Sequence, residues 1–158
     1  MPALRVDSKA PDFKLTDAQR SAVSLSGLLK DGKHIVLAFY PAAWSGVCGD
    51  ELTLFQESLD ELERLNAKVV GISVDNFWSN AAFAENRGIT FPLLSDFHPK
   101  GAVAEKYGVM RDDGVTERAL FVIDRDGTIR YSYVSPIGEN PGVGRILDAL
   151  EGMGEGGA

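Results

Sequence analysis

The sequence is poor in cysteine, has no long apolar run and carries no excess of basic residues. Cys48 is the one cysteine among 158 residues, which excludes an intramolecular disulfide, a CxxC redox pair and a zinc site built from several cysteines. No apolar run approaches the ~18 residues that a membrane-spanning helix needs, and residues 1–14 lack the apolar stretch of a signal peptide. We therefore expect a cytoplasmic protein without a membrane partner.

Basic residues are too few for a nucleic-acid-binding protein, and the histidines are too scattered for a metal site. The chain has 16 Lys and Arg against 23 Asp and Glu, a net charge of −7, so it lacks the basic surface that binds a nucleic-acid backbone. His34 and His98 lie in unrelated segments without partners at metal-ligand spacing. The glycine-rich segment 138–144 lacks the lysine of a phosphate loop and the spacing of a dinucleotide-binding loop. We expect no nucleic-acid partner and no metal.

The composition and length that remain are those of an ordinary globular domain. Hydrophobic residues make up 44% and charged residues 25% of the chain, far from the balance of a disordered protein. A chain of this size buries roughly two-thirds of its unfolded surface and needs no disulfide or metal to hold it. We expect residues 1–158 to form one domain, with a frayed glycine-rich tail over 152–157.

The hydrophobic pattern alternates between strands and helices along the chain. It predicts hairpins over 13–24 and 119–134, buried strands over 34–40 and 68–74, and a short extended piece over 91–95. It predicts helices over 46–65, 76–87, 100–107 and 145–151. This order is that of an α/β thioredoxin-like fold, a mixed central sheet with helices on both faces. In such sheets reactive groups collect where a central strand ends and a helix begins, which here is the segment 40–48.

Cys48 follows a buried strand and lies within the first turn of the predicted helix. The free backbone amides and the positive end of the helix dipole at that place favour a thiolate. A lone cysteine is also commonly an inert, buried hydrophobic residue, and its position alone does not decide between the two interpretations.

The residues before Cys48 each allow a functional and a purely structural interpretation. Ser45 can cap the helix, which is worth ~1 kcal/mol, and the same hydroxyl can hydrogen-bond a substrate oxygen. Pro41 can be an apolar wall of a site or only the end of the strand. Trp44 can cover a site, although a place in the core or at a subunit contact fits it better.

Three segments of the chain resemble those of the peroxiredoxins, thiol peroxidases with a thioredoxin-like fold. Pro41, Ser45 and Cys48 match the pattern P-x-x-x-[TS]-x-x-C. Residues 10–13 read A-P-D-F, and residues 118–124 match R-x-x-F-x-I-D, the strand that carries the family's active-site arginine. The resemblance covers nearly the whole chain, and the segments occur in the family's order.

The resemblance implies a role for each matching residue. Cys48 would attack the terminal peroxide oxygen and become a sulfenic acid, with no metal, flavin or haem, so no cofactor is expected. Arg118 would stabilise the thiolate and the leaving oxygen, and Glu51 would orient Arg118. The alternative for Arg118, a surface arginine, fits poorly because this residue opens a strand that is otherwise apolar.

The same resemblance assigns the substrate contacts to the start of the helix. Ser45 would hold the peroxide in line, the backbone amides of Val47 and Cys48 would donate to its oxygens, and Pro41 would shield the sulfur. The family usually has threonine where this chain has Ser45, so the methyl group that fixes the hydroxyl rotamer is missing.

The chain also lacks the resolving cysteine that many family members carry. Thr53 occupies the position, five residues after Cys48, where members that resolve through the nearby helix have it. The sequence is therefore most similar to the one-cysteine members, in the bacterial branch that includes alkyl hydroperoxide reductase E. An external thiol, either a small thiol or a thioredoxin- or glutaredoxin-type protein, would reduce the sulfenic acid. Trp44, Phe77 and Trp78 could form a homodimer contact.

Two other functions remain compatible with the sequence. A redox sensor or relay would use the same activated Cys48 to pass oxidation to a partner protein by a mixed disulfide, with little turnover. A thioredoxin-fold binding protein would have an inert Cys48 and would not react with peroxide. Catalytic turnover with a thiol distinguishes the peroxidase from both.

Overall fold

The structure, a computed structural model, describes residues 2–155, which contain one seven-stranded sheet and six helices. The strands are β1 (Lys14–Thr16), β2 (Ala22–Ser24), β3 (His34–Phe39), β4 (Ala67–Ser73), β5 (Leu93–Ser95), β6 (Arg118–Ile123) and β7 (Ile129–Ser135). The helices are α1 (Leu25–Leu29), α2 (Gly46–Glu57), α3 (Leu59–Arg64), α4 (Phe77–Arg87), α5 (Ala102–Lys106) and α6 (Gly144–Glu155). None of these helices is both long and apolar enough to span a bilayer.

The sheet is mixed, with strand order β2-β1-β5-β4-β3-β6-β7. The central strands β3, β4 and β5 run parallel, while β6 and β7 on one side and β1 and β2 on the other pair antiparallel. The two predicted hairpins, β1–β2 and β6–β7, are confirmed. The nearly continuous apolar sequence of β3 fits its central position, because such a strand is covered on both faces.

Successive side chains of β3 pack into two separate cores, since side chains alternate between the faces of a strand. One core includes residues of α1 and α5, and the other includes residues of α2, α3, α4 and α6. Ile35, Leu37 and Phe39 belong to the first core, and Val36 and Ala38 to the second. Helices therefore lie on both faces of the sheet, which confirms the predicted thioredoxin-like architecture.

The predicted helix over 46–65 is wrong in one respect, because the structure divides it into α2 and α3. Ser58 lies between the two helices with φ −100° and ψ 7°, which is not helical. Its amide is shared between the carbonyl oxygens of Leu54 and Phe55. This bifurcated bond is the usual way in which a helix tightens and ends.

Two other helix bounds differ from the prediction by more than one residue. Helix α5 begins at Ala102 rather than Lys100, because Gly101 has a left-handed φ of 72° and interrupts the helix there. Helix α6 continues through Glu155, so residues 152–155 are helical rather than frayed. Met153 packs against the core on that face of the sheet, which holds the last turn in place. The remainder of the predicted tail, 156–157, lies outside the described residues.

Candidate active site around Cys48

The segment that the sequence singles out lies at the edge of the sheet where β3, β4 and β5 end. Pro41 follows β3, a short loop leads to Ser45, and α2 begins at Gly46. Cys48 is the third residue of α2 and is completely buried, at 0% exposure. Its sulfur therefore sits where the unpaired amides of a first helical turn and the positive helix dipole act most strongly.

Ser45 caps α2, as predicted. Its Oγ accepts a hydrogen bond from the Cys48 amide at 3.5 Å, and its carbonyl accepts one from the Gly49 amide at 2.9 Å. The first of these bonds is longer than the usual range of about 2.7–3.2 Å. It is therefore weak, and the Cys48 amide can readily exchange it for a bond to another acceptor. Before it, Trp44 has a left-handed φ of 73°, a conformation that costs roughly 1–3 kcal/mol for a bulky residue.

Arg118 lies beside Cys48 because of the register of the sheet. Strand β6 runs antiparallel to β3 and pairs Ala119 with Phe39, so the start of β6 adjoins the end of β3. The Arg118 side chain is 2% exposed, and its Nη1 lies 3.2 Å from Cys48 Sγ. Its Nε donates to the Ile137 carbonyl at 3.0 Å. The prediction that Arg118 is not a surface arginine is confirmed.

Glu51 is buried one helical turn after Cys48 and binds the same guanidinium. Its Oε1 accepts a hydrogen bond from Arg118 Nη1 at 2.9 Å. Burial raises the pKa of Glu51 to about 7, although the hydrogen bond and positive charge of Arg118 act in the opposite direction. One nitrogen of Arg118 is thus shared between the sulfur and a carboxylate, and the carboxylate fixes the orientation of the guanidinium.

Asp75 anchors the loop before α2, a role that the sequence analysis did not foresee. Its Oδ2 accepts hydrogen bonds from the Ala43 amide at 2.7 Å and from the Ser73 hydroxyl at 2.8 Å. Asp75 lies two residues after the end of β4, which adjoins the end of β3. That position is the signal that could have identified it, because polar residues that follow neighbouring parallel strands meet at one edge.

A buried hydrogen-bonded chain underlies the same loop. The Tyr40 hydroxyl donates to Asn80 Oδ1 at 2.8 Å, and Asn80 Nδ2 donates to Ser95 Oγ at 3.2 Å. Burial raises the pKa of Tyr40 well above its usual range, which keeps the phenol neutral. This network joins the ends of β3 and β5 to α4, and nothing in the hydrophobic pattern indicated it.

Pro41 and Val47, the remaining predicted site residues, lie in the same short segment. Pro41 is buried at the end of β3, and Val47 is half-buried in the first turn of α2. The amide of a residue at that point of a helix has no carbonyl four residues earlier in the helix to bind. It can therefore donate to a ligand, but contact of either residue with peroxide stays a prediction.

Large exposed aromatic side chains surround this edge of the sheet. Trp44, Trp78 and Phe97, which follow β3, β4 and β5 respectively, are 54%, 63% and 54% exposed. Phe77 and Trp78 stack with ring centroids 4.0 Å apart, and the Arg20 guanidinium lies 4.6 Å from the Phe77 centroid. Trp44 is not a core residue, and its indole packs edge-on against an aromatic ring of α4. Among residues 2–155, no cluster of three metal-ligating side chains is present here or elsewhere.

Comparison with known proteins identifies the family of this chain. A family model described as AhpC/TSA matches residues 6–132. The chain is 39% identical over 137 residues to alkyl hydroperoxide reductase E of Mycobacterium tuberculosis, spanning 86% of this chain and 89% of that protein. It is 35% identical over 161 residues to a chloroplastic 2-cysteine peroxiredoxin of Chattonella marina var. antiqua, spanning 96% and 81% respectively. The chain belongs to the AhpC/TSA family of peroxiredoxins.

Structural similarity agrees with this membership. The crystal structure of peroxidoxin BcpB from Mycobacterium tuberculosis matches with a TM-score of 0.86 and 32% identity, over 95% of this chain and 98% of that one. As a member of this family, the chain is a thiol-dependent peroxidase. The redox relay, which the sequence left open as an alternative function, is not favoured.

Proposed function

We propose that this peroxiredoxin works with one cysteine, Cys48, as the nucleophile that attacks a hydroperoxide, and that an external thiol restores it. The observation that carries the proposal is the 3.2 Å separation of Arg118 Nη1 from Cys48 Sγ, between two side chains that are almost wholly buried. A guanidinium so close to a sulfur at a helix N-terminus favours the thiolate, which is the reactive form.

The reaction forms one bond and breaks one bond. The Cys48 thiolate attacks the terminal oxygen of the hydroperoxide, an S–O bond forms, and the O–O bond breaks. Sulfur is oxidised to a sulfenic acid, and the departing oxygen takes a proton to become water or an alcohol. Arg118 stabilises the negative charge first on the sulfur and then on the departing oxygen, because its several N–H donors can bind both atoms.

The start of α2 supplies the remaining contacts in this proposal. The Ser45 hydroxyl holds the peroxide in line with the sulfur, and the Val47 and Cys48 amides donate to the peroxide oxygens. The weak 3.5 Å bond between the Cys48 amide and Ser45 supports this assignment, because it is readily exchanged for a bond to substrate. Pro41 shields the sulfur from water, and Glu51 positions Arg118.

The substrate is hydrogen peroxide, an organic hydroperoxide, or both. The site needs only a terminal O–O–H group to reach the sulfur, so the remainder of the molecule can vary. The relative from Mycobacterium tuberculosis is an alkyl hydroperoxide reductase by name, which supports organic hydroperoxides as one substrate class.

The single cysteine supports reduction by an external thiol. Thr53 of α2 stands where members with a resolving cysteine in this helix carry it, and the chain has no second cysteine. One external thiol would form a mixed disulfide and release water, and a second thiol would free Cys48. The reductant is a low-molecular-weight thiol or a thioredoxin- or glutaredoxin-type protein. A reducing compartment such as the cytoplasm suits this requirement, and we place residues 1–158 in one domain there.

A homodimer through the aromatic edge is part of the proposal. The exposed rings of Trp44 and Trp78, together with Phe77, which stacks on Trp78, offer apolar area close to the active site. Aromatic side chains are enriched at protein interfaces, and a two-fold contact would cover the same rings on both copies. Trp78→Glu should give a monomer by sedimentation equilibrium, whereas Val134→Glu, an exposed apolar residue on β7, should leave the dimer intact. A dimer that survives Trp78→Glu contradicts this contact.

The decisive experiment for the peroxidase cycle traps the sulfenic acid. Reduced protein is mixed with one equivalent of hydrogen peroxide and dimedone, and the intact mass is measured within seconds. One adduct on Cys48, absent in Cys48→Ser, is expected, and an unmodified mass after minutes would overturn the proposal. Turnover is then followed with a small thiol and with a thioredoxin-type protein. Many turnovers support the external-thiol cycle, while oxidation that stops at a mixed disulfide supports a relay.

A further inference from the structure

Glu51 has a feature that orienting Arg118 does not explain. Its side chain is 0% exposed, and while Oε1 binds Arg118, Oε2 is buried with no hydrogen-bond partner among the described residues. An ionised carboxylate with one buried oxygen unpaired is costly, because it has lost the water that would stabilise its charge. A protonated carboxyl group carries its proton on one oxygen and avoids that cost.

The charges around Arg118 do not balance when Cys48 is a thiolate. Arg118 Nη1 is 3.2 Å from Cys48 Sγ and 2.9 Å from Glu51 Oε1, so one cation would face two anions inside the protein. Two anions so close to one cation and away from water repel each other, which favours a proton on the carboxyl group. The pKa of Glu51, raised by burial to about 7 against the effect of Arg118, is consistent with a carboxyl that holds a proton near neutral pH.

Other charged groups near this face of the sheet do not offer Glu51 a second partner. Tyr40, which follows β3, stays neutral and donates its hydroxyl to Asn80. Arg87 of α4 pairs with another carboxylate, on the exposed side of α2, and Arg145 of α6 stacks on a tyrosine ring of β7. Arg118 is therefore the cation whose charge Glu51 and Cys48 share.

We propose that Glu51 is the internal acceptor of the Cys48 thiol proton, so that thiolate formation protonates Glu51 and oxidation of Cys48 passes that proton to the departing oxygen. In the resting site, Cys–SH and Glu–COO⁻ become Cys–S⁻ and Glu–COOH, and the charge of Arg118 is then available to the sulfur. The inference rests on the proposed function above and adds a second role to Glu51 besides positioning.

Every proton is accounted for through the whole catalytic cycle. Cys–S⁻, ROOH and Glu–COOH give Cys–SOH, ROH and Glu–COO⁻, because the peroxide proton stays on the sulfenic oxygen and the alkoxide takes the glutamic proton. The ionised Glu51 then pairs with Arg118 while the sulfur is neutral. Reduction by two thiols returns Cys–SH, whose proton passes to Glu51 again. The site thus needs no base from solvent to regenerate its thiolate.

Proton release during alkylation tests the proposal without any peroxide. Iodoacetamide consumes the thiolate and leaves a neutral thioether, so Glu51 should then ionise against Arg118 and lose its proton. The measurement is made at a pH where the alkylation rate no longer rises with pH, because the thiolate is complete there. A pH indicator should report close to one proton released per Cys48 in the wild type and close to none in Glu51→Gln.

The variants separate proton transfer from a structural role. Gln keeps an oxygen that accepts from Arg118 and nearly the same shape, so a purely structural Glu51 predicts equal behaviour of Glu51→Gln and the wild type. Glu63→Gln, at an exposed position of α3, is the matched control and should release the proton as the wild type does. No release by the wild type on the plateau, or equal release by Glu51→Gln, overturns the inference.

A second measurement on the wild type alone guards against misfolding of the variant. The infrared difference spectrum between reduced and peroxide-treated protein should lose the carbonyl stretch of a protonated carboxylic acid. If Cys48 is oxidised and that band does not change, the proton inference fails while the peroxidase stands. If Cys48 is not oxidised at all, the proposed function itself fails.

Discussion

Removal of the Arg118 guanidinium should slow the oxidation of Cys48 by a factor of roughly 10²–10³. Arg118→Ala takes away the donor 3.2 Å from Sγ, the ion pair to Glu51 at 2.9 Å and the bond to the Ile137 carbonyl at 3.0 Å. The first of these contacts acts on the reacting sulfur. The other two hold the guanidinium in place.

The size of the effect follows from the contacts that are lost. One preorganised donor to a developing charge is worth about 2.7–4 kcal/mol in the transition state, a factor of roughly 10²–10³ in rate. Breaking a buried ion pair also leaves Glu51 without its cation, which costs roughly 3–5 kcal/mol of stability. That cost is a large share of the ~5–15 kcal/mol that holds a domain folded, so the single variant must be paired with one that removes the stranded charge.

The assay compares the rate constant for Cys48 oxidation by hydrogen peroxide, measured by rapid quench and intact mass. Arg118→Ala with Glu51→Gln should regain much of the stability in urea unfolding but stay slow by at least a factor of about 10². Arg130→Ala removes a half-exposed arginine that pairs with Asp124 and should oxidise at the wild-type rate. Oxidation of the double variant within a few-fold of the wild type would refute the role given to Arg118.

Three further changes test other parts of the site and the fold. Ser45→Ala should cost only ~0.5 kcal/mol of unfolding free energy, since the cap bond is long. It should slow oxidation about tenfold, because it removes one hydrogen bond to the peroxide worth ~1.4 kcal/mol, whereas Ser45→Thr keeps the hydroxyl and should match the wild type. Tyr40→Phe leaves Asn80 Oδ1 unpaired and should lower the unfolding free energy by ~1–3 kcal/mol, with the oxidation rate unchanged. Burial acts to raise the pKa of Asp124, but backbone hydrogen bonds and Arg130 outweigh it and hold that pKa below the usual 3.8. The stability that this carboxylate contributes is therefore present above pH 3.8 and is lost as the pH falls through the lower folded-state pKa. In urea unfolding, Asp124→Asn should lower the free energy of unfolding by ~1–2 kcal/mol at neutral pH. In strong acid the same substitution should have almost no effect.

The sequence was sufficient to predict the elements that bring Cys48 and Arg118 together. The apolar run over 34–40 predicts a buried strand, the run over 119–124 predicts one strand of a hairpin, and the hydrophobic period of α2 places Cys48 near the start of that helix. Whether the second strand lies next to the first is a matter of strand order, which local patterns do not carry. The family resemblance supplied that information, and the antiparallel register between β3 and β6 agrees with it.

The supporting hydrogen bonds were beyond sequence reasoning because each joins residues that are distant in the chain. Asp75 reads as an ordinary turn residue after a strand, yet it holds the Ala43 amide 32 positions earlier. Asn80 lies in a helical pattern whose buried face looks apolar, and its side chain joins two strand ends. The break at Ser58 was missed for a different reason, which is local. One non-helical residue hardly disturbs the period of the hydrophobic residues, so the sequence pattern continued across it.

The burial of Cys48 also predicts a role for the glycine that follows it. The sulfur is 0% exposed, so an external thiol can reach a sulfenic acid there only when the first turn of α2 opens. Gly49 makes this turn easier to open, because glycine disfavours a helix by ~1 kcal/mol relative to alanine. The Arg87 guanidinium occupies the space beside it, and a Cβ on residue 49 would lie 2.5 Å from Arg87 Cζ. The substitution is therefore made in a background of Arg87→Ala, which gives up one half-exposed ion pair worth at most ~1 kcal/mol.

Relative to Arg87→Ala alone, adding Gly49→Ala should slow reduction of the sulfenic acid about fivefold, since ~1.4 kcal/mol corresponds to a factor of ten. Oxidation by hydrogen peroxide should slow less, because a molecule close to water in size needs a smaller movement than a thiol does to reach a sulfur that is 0% exposed. Gly152→Ala, at an open position of α6, should raise overall stability by a similar amount without slowing reduction. If Gly152→Ala slows reduction as much, global unfolding and not the first turn of α2 controls access to Cys48. If neither variant slows it, the thiol reaches the sulfur in the closed structure, and burial of Cys48 in the resting state does not limit turnover.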